Sequence, residues 1–364
     1  MEIKNKNFVK KKIKSLTRHN GGGIIVSYDY STLEIRIFSA ISCDPTLRDV
    51  LLSGADLHCN TARNIFPELK DMSDKEIKEH HSGLRSKAKS TMFGLLYGKS
   101  AYNFSKEWGC TVEEAQETID KMMGAYPGIK TYVEYQHKFA REHGYIVDVF
   151  GCTRPLPDAM LPDTKSNRKL LNHAMNASQN SGIQSSASRM AWIAGTHIAE
   201  EMLMHDLQSV MIGGVHDSTY LDIYPGELIP VFKICQFHAG TVPNVIYDWM
   251  NGNKMFIDFG LGQSWGREMD IKSFEEKDGK FILNIKGGNC NWDYLKRELD
   301  EAYDYKILEM KEGDPIPPEE REELPIEVPT QLISLKLEFE DPCPNMEFKS
   351  KYFVGNGFYG KREE

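Results

Sequence analysis

The chain has 364 residues, 40% of them hydrophobic and 27% charged, which is the composition of a globular protein with one large domain or two to three smaller ones. No apolar run approaches the roughly 18 residues a membrane span needs, the start does not read as a signal peptide, and seven scattered Cys without a C-x-x-C pair read as reduced thiols of a cytoplasmic protein without a zinc site. The net charge of −9 does not exclude a nucleic-acid binder, because 22 Asp+Glu against 14 Lys+Arg fall in residues 271–364, while residues 1–22 carry seven basic side chains and one acidic.

Residues 1–22 form a basic arm, either tracking phosphates or solvated, closed by Gly21-Gly22-Gly23. Ile24–Tyr28 is a β-branched, apolar run that predicts a buried strand, with Asp29 at its end. Ser31 stands three residues before Glu34, a capping-box spacing that predicts a helix start. Asp29 is then either a capping carboxylate or an acid at a strand–helix junction, where ligand sites gather. Residues 56–66 predict a helix carrying His58, and residues 71–81 a loop or short exposed helix.

From about Gly83 a helix is expected in which Arg85, Lys89, Phe93 and Tyr97 recur at intervals of four. That spacing makes one stripe, cationic for two turns and aromatic for two. Such a stripe either packs a core or grips a polyphosphate and stacks on a base, since Arg binds two oxygens with its planar fork and Lys adds a compact charge. Helices are predicted over 111–126, opened by a Thr cap, and over 129–143, followed by a strand over 145–150 and a turn to Pro157 that carries Arg154. Residues 166–207 predict a long helix whose middle repeats Asn176, Asn180 and Gln184. An amide stripe buried without partners is costly, so it faces either another helix or a surface of acceptors such as the DNA minor groove.

Residues 209–223 predict a hairpin, with Gly213-Gly214 permitting a tight turn and His216-Asp217 just beyond it. A Pro-interrupted helix over 226–250 and a strand over 255–259 follow. In 271–364 a hairpin is expected over Lys280–Ile285 and a helix from Trp292 to about Lys311. An acidic Pro-rich linker over 312–329 and a strand over 331–339 close the chain, as either a docking element or a solvated appendage.

Two acids on separate strands and a cationic helix form a set with one chemistry. A pair of carboxylates can hold two hard divalent cations that assist in-line displacement at phosphorus, and Arg and Lys can neutralise a departing pyrophosphate. In order and wording the chain resembles family A DNA polymerases, the bacterial polymerase I group and its phage relatives. Asp29-Tyr-Ser-Thr-Leu-Glu-Ile-Arg36 is similar to motif A, Arg85 to Gly98 to motif B, and Val215-His-Asp-Ser218 to motif C. Asp56-Leu-His, Glu114-Ala-Gln, Tyr126-Pro-Gly, Phe150-Gly, Pro157-Asp158 and Gly260-Leu-Gly-Gln-Ser-Trp265 extend the likeness over about residues 10–268.

The resemblance implies an α+β fold, with an antiparallel palm sheet (23–50 and 176–270), helical fingers (51–175) and an acidic C-terminal extension (271–364) to which the likeness does not reach. It implies DNA-directed DNA polymerase activity with two Mg2+ ions held by Asp29, Asp217 and the carbonyl of Tyr30. By the same likeness Arg85, Lys89 and His58 hold the dNTP triphosphate, with Lys89 the proton donor to pyrophosphate. Phe93 stacks on the nucleotide, Tyr97 stands at the template base, and Glu34 excludes the 2′-hydroxyl and bonds to Tyr97. Gln184, Asn180, His216 and Arg154 contact primer-template DNA.

Ser218, Asn176 and Met92 depart from the family, which usually carries Glu, Arg and Asn there. With the expected thumb and proofreading exonuclease lacking, the chain is expected to be the catalytic C-terminal part of a split phage-type enzyme, partnered by a second polypeptide in the host cytoplasm. Two other readings stay open: a single-subunit RNA polymerase, which shares His-Asp-Ser in motif C, and a non-catalytic DNA- or partner-binding fragment. Glu34 and Phe93-Gly94 favour the deoxynucleotide enzyme.

Overall fold

A computed structural model describes residues 23–287, 290, 292–315, 331–354 and 357–359. The basic arm 1–22 and residues 316–329 of the acidic linker lie outside the described residues. The chain divides into two compact units, one of Thr32–Met190 with Tyr247–Lys254, the other of Met1–Ser31, Ala191–Ile246 and Met255–Glu364.

The first unit is almost wholly helical. It contains α1 (Leu33–Ser42), α2 (Pro45–Ser53), α3 (Leu57–Ile65), α4 (Asp74–His80), α5 (Ser82–Leu96), α6 (Ala101–Trp108), α7 (Val112–Ala125), α8 (Pro127–His143) and the start of α9 (Arg168–Met204), with one hairpin of Tyr145–Val147 and Thr153–Pro155. Several starts are written locally. The Asp44 and Asp56 side chains accept from Leu47 N and Cys59 N, and Ser73/Glu76 and Thr111/Glu114 form capping boxes. These bonds satisfy amides that a helix N-terminus leaves without partners. Phe104 stacks on Trp108, Phe38 meets Tyr132 edge-on, and Gly94 is required because a Cβ there would lie 2.3 Å from the Phe104 ring.

The second unit is built on a sheet of eight strands: β1 (Ile24–Tyr30), β2 (Val210–Val215), β3 (Ser218–Ile223), β4 (Ile257–Ser264), β5 (Arg267–Lys277), β6 (Lys280–Lys286), β7 (Tyr305–Pro315) and β8 (Gln331–Glu340). Their order is β2-β3-β1-β4-β5-β6-β8-β7, and every neighbouring pair is antiparallel. One face packs on α10 (Leu228–Cys235): Phe232 stacks on Phe259 at 3.8 Å between ring centroids and meets Phe274 and Phe281 edge-on. α11 (Val242–Ile246) follows a π-helical turn, and α12 (Trp292–Ala302) precedes β7.

Residues beyond 270 are part of this sheet. Buried Lys233 on α10 donates to Glu276, Asp341 and the Cys343 carbonyl at 2.7–2.9 Å. Glu201, fully buried on α9, accepts from the amides of Lys349 and Ser350 and from His205 and His238. A buried charge is tolerated when it is paired and hydrogen-bonded in this way. No described helix is long and apolar enough to cross a membrane.

Four expectations from sequence are corrected. Ser31 does not cap a helix: its amide donates to Phe256 O and its hydroxyl to Asp258 Oδ2, so Thr32 takes the position before α1 with φ 54°. The Gly213-Gly214 pair lies inside β2, and the two-residue turn is His216-Asp217, with His216 in the left-handed region at φ 59°. The segment Lys280–Ile285 is one strand, paired to β5 across an Asp278-Gly279 turn. The helix from Trp292 stops at Ala302, and residues 305–311 pair with β8, because cross-strand partners outweigh local helical periodicity.

A Cβ at Gly262 would fall 2.0 Å from the Arg267 carbonyl oxygen and 2.7 Å from Glu268 Cα, backbone atoms that cannot swing aside. Gly262→Ala is expected to cost about 3 kcal/mol through overpacking of the β4–β5 hairpin. A thermal melt should show this as a drop of several degrees, and an unchanged melt contradicts the close approach.

Candidate active site

The sheet unit brings the two sequence-predicted acids to one end of two paired strands. Asp29, near the end of β1, is in register with Ser218, the first residue of β3, so Asp217 in the adjoining turn comes beside it. The Ser218 hydroxyl donates to Asp29 Oδ1 at 2.8 Å. On its other side Asp29 pairs in register with Asp258 of β4. Burial raises the Asp29 pKa, the Ser218 bond opposes that rise, and the negative charges of Asp217 and Asp258 add to it. His216 lies exposed in the same turn, and Tyr30 is buried one residue past Asp29.

Asp258 is a site residue that sequence reading missed. No local signal marks it, and only the β1–β4 register sets it opposite Asp29. Among the described residues no group of three or more His, Cys, Asp and Glu is arranged to hold a metal ion. The pair Asp29 and Asp217 with the Tyr30 carbonyl nonetheless fits a hard divalent cation, since all three offer oxygen and the crowded Asp29 carboxylate gains from a neutralising charge.

The helical unit gathers a second group. On α5, Arg85 Nη2 donates to Asp56 Oδ2 at 2.8 Å, and Lys78 Nζ reaches the same oxygen at 3.0 Å. Burial works to raise the Asp56 pKa, but the Arg85 bond, the Cys59 amide and Lys78 outweigh it and hold the carboxyl well below the usual range. His58 on α3 lies 6.1 Å from the Phe93 ring between centroids. Its pKa falls to about 4, first through burial and then through the charges of Arg85 and Lys89. Arg85, Lys89, His58 and Phe93 therefore form one cluster, in which Asp56 occupies the guanidinium that an anion would otherwise take.

Tyr97 follows α5 and donates to Glu34 Oε2 at 2.5 Å. Burial first, then Glu34, push its pKa up to about 12, while a bond with Gln184 pulls the other way. Glu34, Tyr97 and Gln184 thus touch. Gly98, at φ +72°, lies so close to Asn176 that a Cβ would meet that side chain at 2.5 Å.

The amide stripe on α9 divides into an inner and an outer part. Buried Gln179, which sequence reading passed over, donates to the carbonyl of Leu95 at the end of α5 and bonds His137. That carbonyl also accepts from the Gly98 amide, so Gln179 adds a side-chain donor that closes the C-terminus of α5. Asn180 and Gln184 lie on other faces of the turn and are less deeply buried. Arg154 donates to Ser181, and the buried Asp148 carboxylate accepts from Ser185, Arg189 and the amides of Phe150 and Cys152. The 148–154 turn is thereby pinned along α9 beside Asn180 and Gln184.

Residues 2–266 match the family model described as DNA polymerase family A. Among curated relatives, DNA polymerase I of Caldicellulosiruptor bescii is 30% identical over 56% of this chain and 22% of its own length. DNA polymerase I of Mycobacterium bovis is 32% identical over 68% of this chain and 25% of its own. The chain thus spans about a quarter of the curated relatives it matches. The POL domain of Pol1 from M. smegmatis, solved in complex with DNA primer-template and dNTP, superposes with a TM-score of 0.62 at 24% identity over 72% of this chain and 43% of that one, a likeness of fold.

His58 gives a pH signature. Its folded pKa of about 4 lies below the ordinary value of 6.5, so the unfolded chain binds the proton first and stability is lost as pH falls from 6.5 toward 4. His58→Gln removes this contribution and is expected to lose less stability than the parent over that interval. Equal losses in denaturant titrations at pH 7 and pH 4.5 would count against the cationic setting of His58.

Proposed function

The chain belongs to DNA polymerase family A, and from that membership we propose that it catalyses DNA-templated transfer of nucleotides from dNTPs to a primer 3′-hydroxyl. The observation that supports this most directly is the register of β1 with β3, which joins Asp29 to the His216-Asp217-Ser218 turn from a remote part of the chain. Asp29, Asp217 and the Tyr30 carbonyl would hold two Mg2+ ions. Bound there, the ions would lower the pKa of the primer hydroxyl and neutralise charge on the phosphate oxygens.

The remaining work belongs to side chains. Arg85 leaves its single bond to Asp56 for the triphosphate, where its planar fork takes two oxygens. Lys89 neutralises the departing pyrophosphate and gives it a proton. His58, neutral at pH 7, donates a hydrogen bond without adding charge. Phe93 stacks on the nucleotide, and Tyr97 stands at the template base. Glu34, fixed by the Tyr97 hydroxyl, occupies the space of a ribose 2′-hydroxyl. Gln184, Asn180, His216 and Arg154 bind the primer-template. The domain reading stands with this proposal: the helices of 51–175 as fingers and the sheet segments 23–50 and 176–270 as palm.

A finer reading adds a second polypeptide with thumb and exonuclease, in a split enzyme of phage type acting in the host cytoplasm. It is supported by large apolar side chains left exposed on the sheet unit, Trp192 and Leu203 on α9 and Val210 and Ile212 on β2, which a partner chain would cover. Co-purification of a defined partner tests it, and a chain that extends primers alone at full rate refutes it.

Asp29→Asn and Asp217→Asn are each expected to lower primer extension at least ~100-fold with the fold retained. Unchanged extension by either variant removes the assignment. Glu34→Ala is expected to raise rNTP use relative to dNTP by roughly 10- to 100-fold. Equal use of rNTP and dNTP by the parent would instead favour the RNA polymerase reading.

A further inference from the structure

The strands beyond the family match continue the sheet in register from the candidate acids. Ser27 of β1 is opposite Gly260 of β4, Gly260 opposite Asp270 of β5, Asp270 opposite Lys286 of β6, Lys286 opposite Ser334 of β8, and Ser334 opposite Lys311 of β7. Residues in register point to the same side of a sheet, and so do residues two apart on one strand. Asp29, two residues from Ser27, therefore lies on the face that carries Lys286 and Lys311. Asn284, Lys336 and Glu309 make the adjoining row on that face. At about 4.8 Å per strand, the lysines lie roughly 14–24 Å from β1 across the sheet.

The charge along this face is uneven. At the far end of these strands cations and anions balance, with Lys280 paired to Glu340 and Lys306 to Glu338. Nearer Lys286 a cavity of about 200 Å³ is lined by Lys272, Lys286, Lys311 and Lys336, together with Asn284 and Glu309. Lys272 pairs with Asp270 and Lys311 with Glu309, both exposed pairs that contribute little stability and can re-aim. Lys286 and Lys336 leave a surplus of two positive charges. Both are on interior strands, so they are not the edge lysines that sheets carry to block aggregation. This surplus occurs in a segment that is acidic overall.

We propose that the face of β5, β6, β8 and β7 around Lys286 and Lys336 is a phosphate-binding surface for the DNA on which the chain acts, an inference that rests on the polymerase reading above. A duplex bound at Asp29 presents one negative charge per 1.7 Å of its axis, so a stretch passing over the neighbouring strands meets ammonium groups. The contact is with backbone alone: it adds affinity and salt dependence and leaves sequence preference unchanged.

The test measures binding of the full chain to a labelled primer-template by anisotropy across a salt series. Lys286→Glu with Lys336→Glu is expected to weaken binding roughly tenfold and to flatten the slope of log affinity against log salt by about 2, since each lost phosphate contact removes about 0.9. Lys286→Gln with Lys336→Gln moves both readings the same way by less, which guards against a folding defect in the charge-reversed form. Lys130→Glu with Lys138→Glu, two exposed positions on α8, carries the same change of net charge and is expected to leave the slope unchanged. A slope unaltered by the Lys286 and Lys336 changes, or lowered equally by the Lys130 and Lys138 changes, overturns the surface. An unsubstituted chain that binds no primer-template overturns the polymerase reading with it.

Discussion

The partial burial of Asp29 in the sheet, beside two further carboxylates, is the constraint on which the candidate chemistry depends. β1 is held between β3 and β4 by antiparallel pairing on both sides, and that pairing brings Asp217 and Asp258 toward the Asp29 carboxylate. Like charges held together by a fold store a preference for a cation. The Ser218 hydroxyl offsets part of the crowding with one hydrogen bond, in a position where the family usually carries another acid. Ser31 adds a restraint from the next residue but one, because its amide is bound to Phe256, just before β4, and its hydroxyl to Asp258 on β4. Ser31 therefore serves the sheet and caps no helix.

The helical unit solves a complementary problem. Arg85, Lys89 and Lys78 concentrate positive charge around α3 and α5, and Asp56 balances it while also capping α3 through the Cys59 amide. His58 answers the same field by remaining neutral. One carboxylate thus serves helix initiation and charge balance together, and a polyanion that displaces it from Arg85 leaves its capping bond in place.

The described strands beyond the family match extend the existing core. β5 to β8 lengthen the existing sheet, Lys233 and Glu201 anchor the added segments through buried, fully partnered charges, and Phe274 and Phe281 join the cluster around Phe232. An acidic overall composition conceals a lysine-bearing face, because alternation along strands sorts charges by side and not by sequence position.

What could be read from the chain by itself was local. Spacing by four placed Arg85, Lys89 and Phe93 on one helix, Thr111 announced its cap, and the wording around Asp29, Arg85 and Asp217 marked the family. These signals survive because helical periodicity and capping involve residues within a turn or two of each other. Tertiary structure alone decided that Asp258 faces Asp29, that Ser31 serves the sheet, that Gln179 closes α5, and that residues 305–311 are strand. Each depends on hydrogen bonds between segments far apart in the chain, and strand register is set by such partners, so no local pattern encodes it.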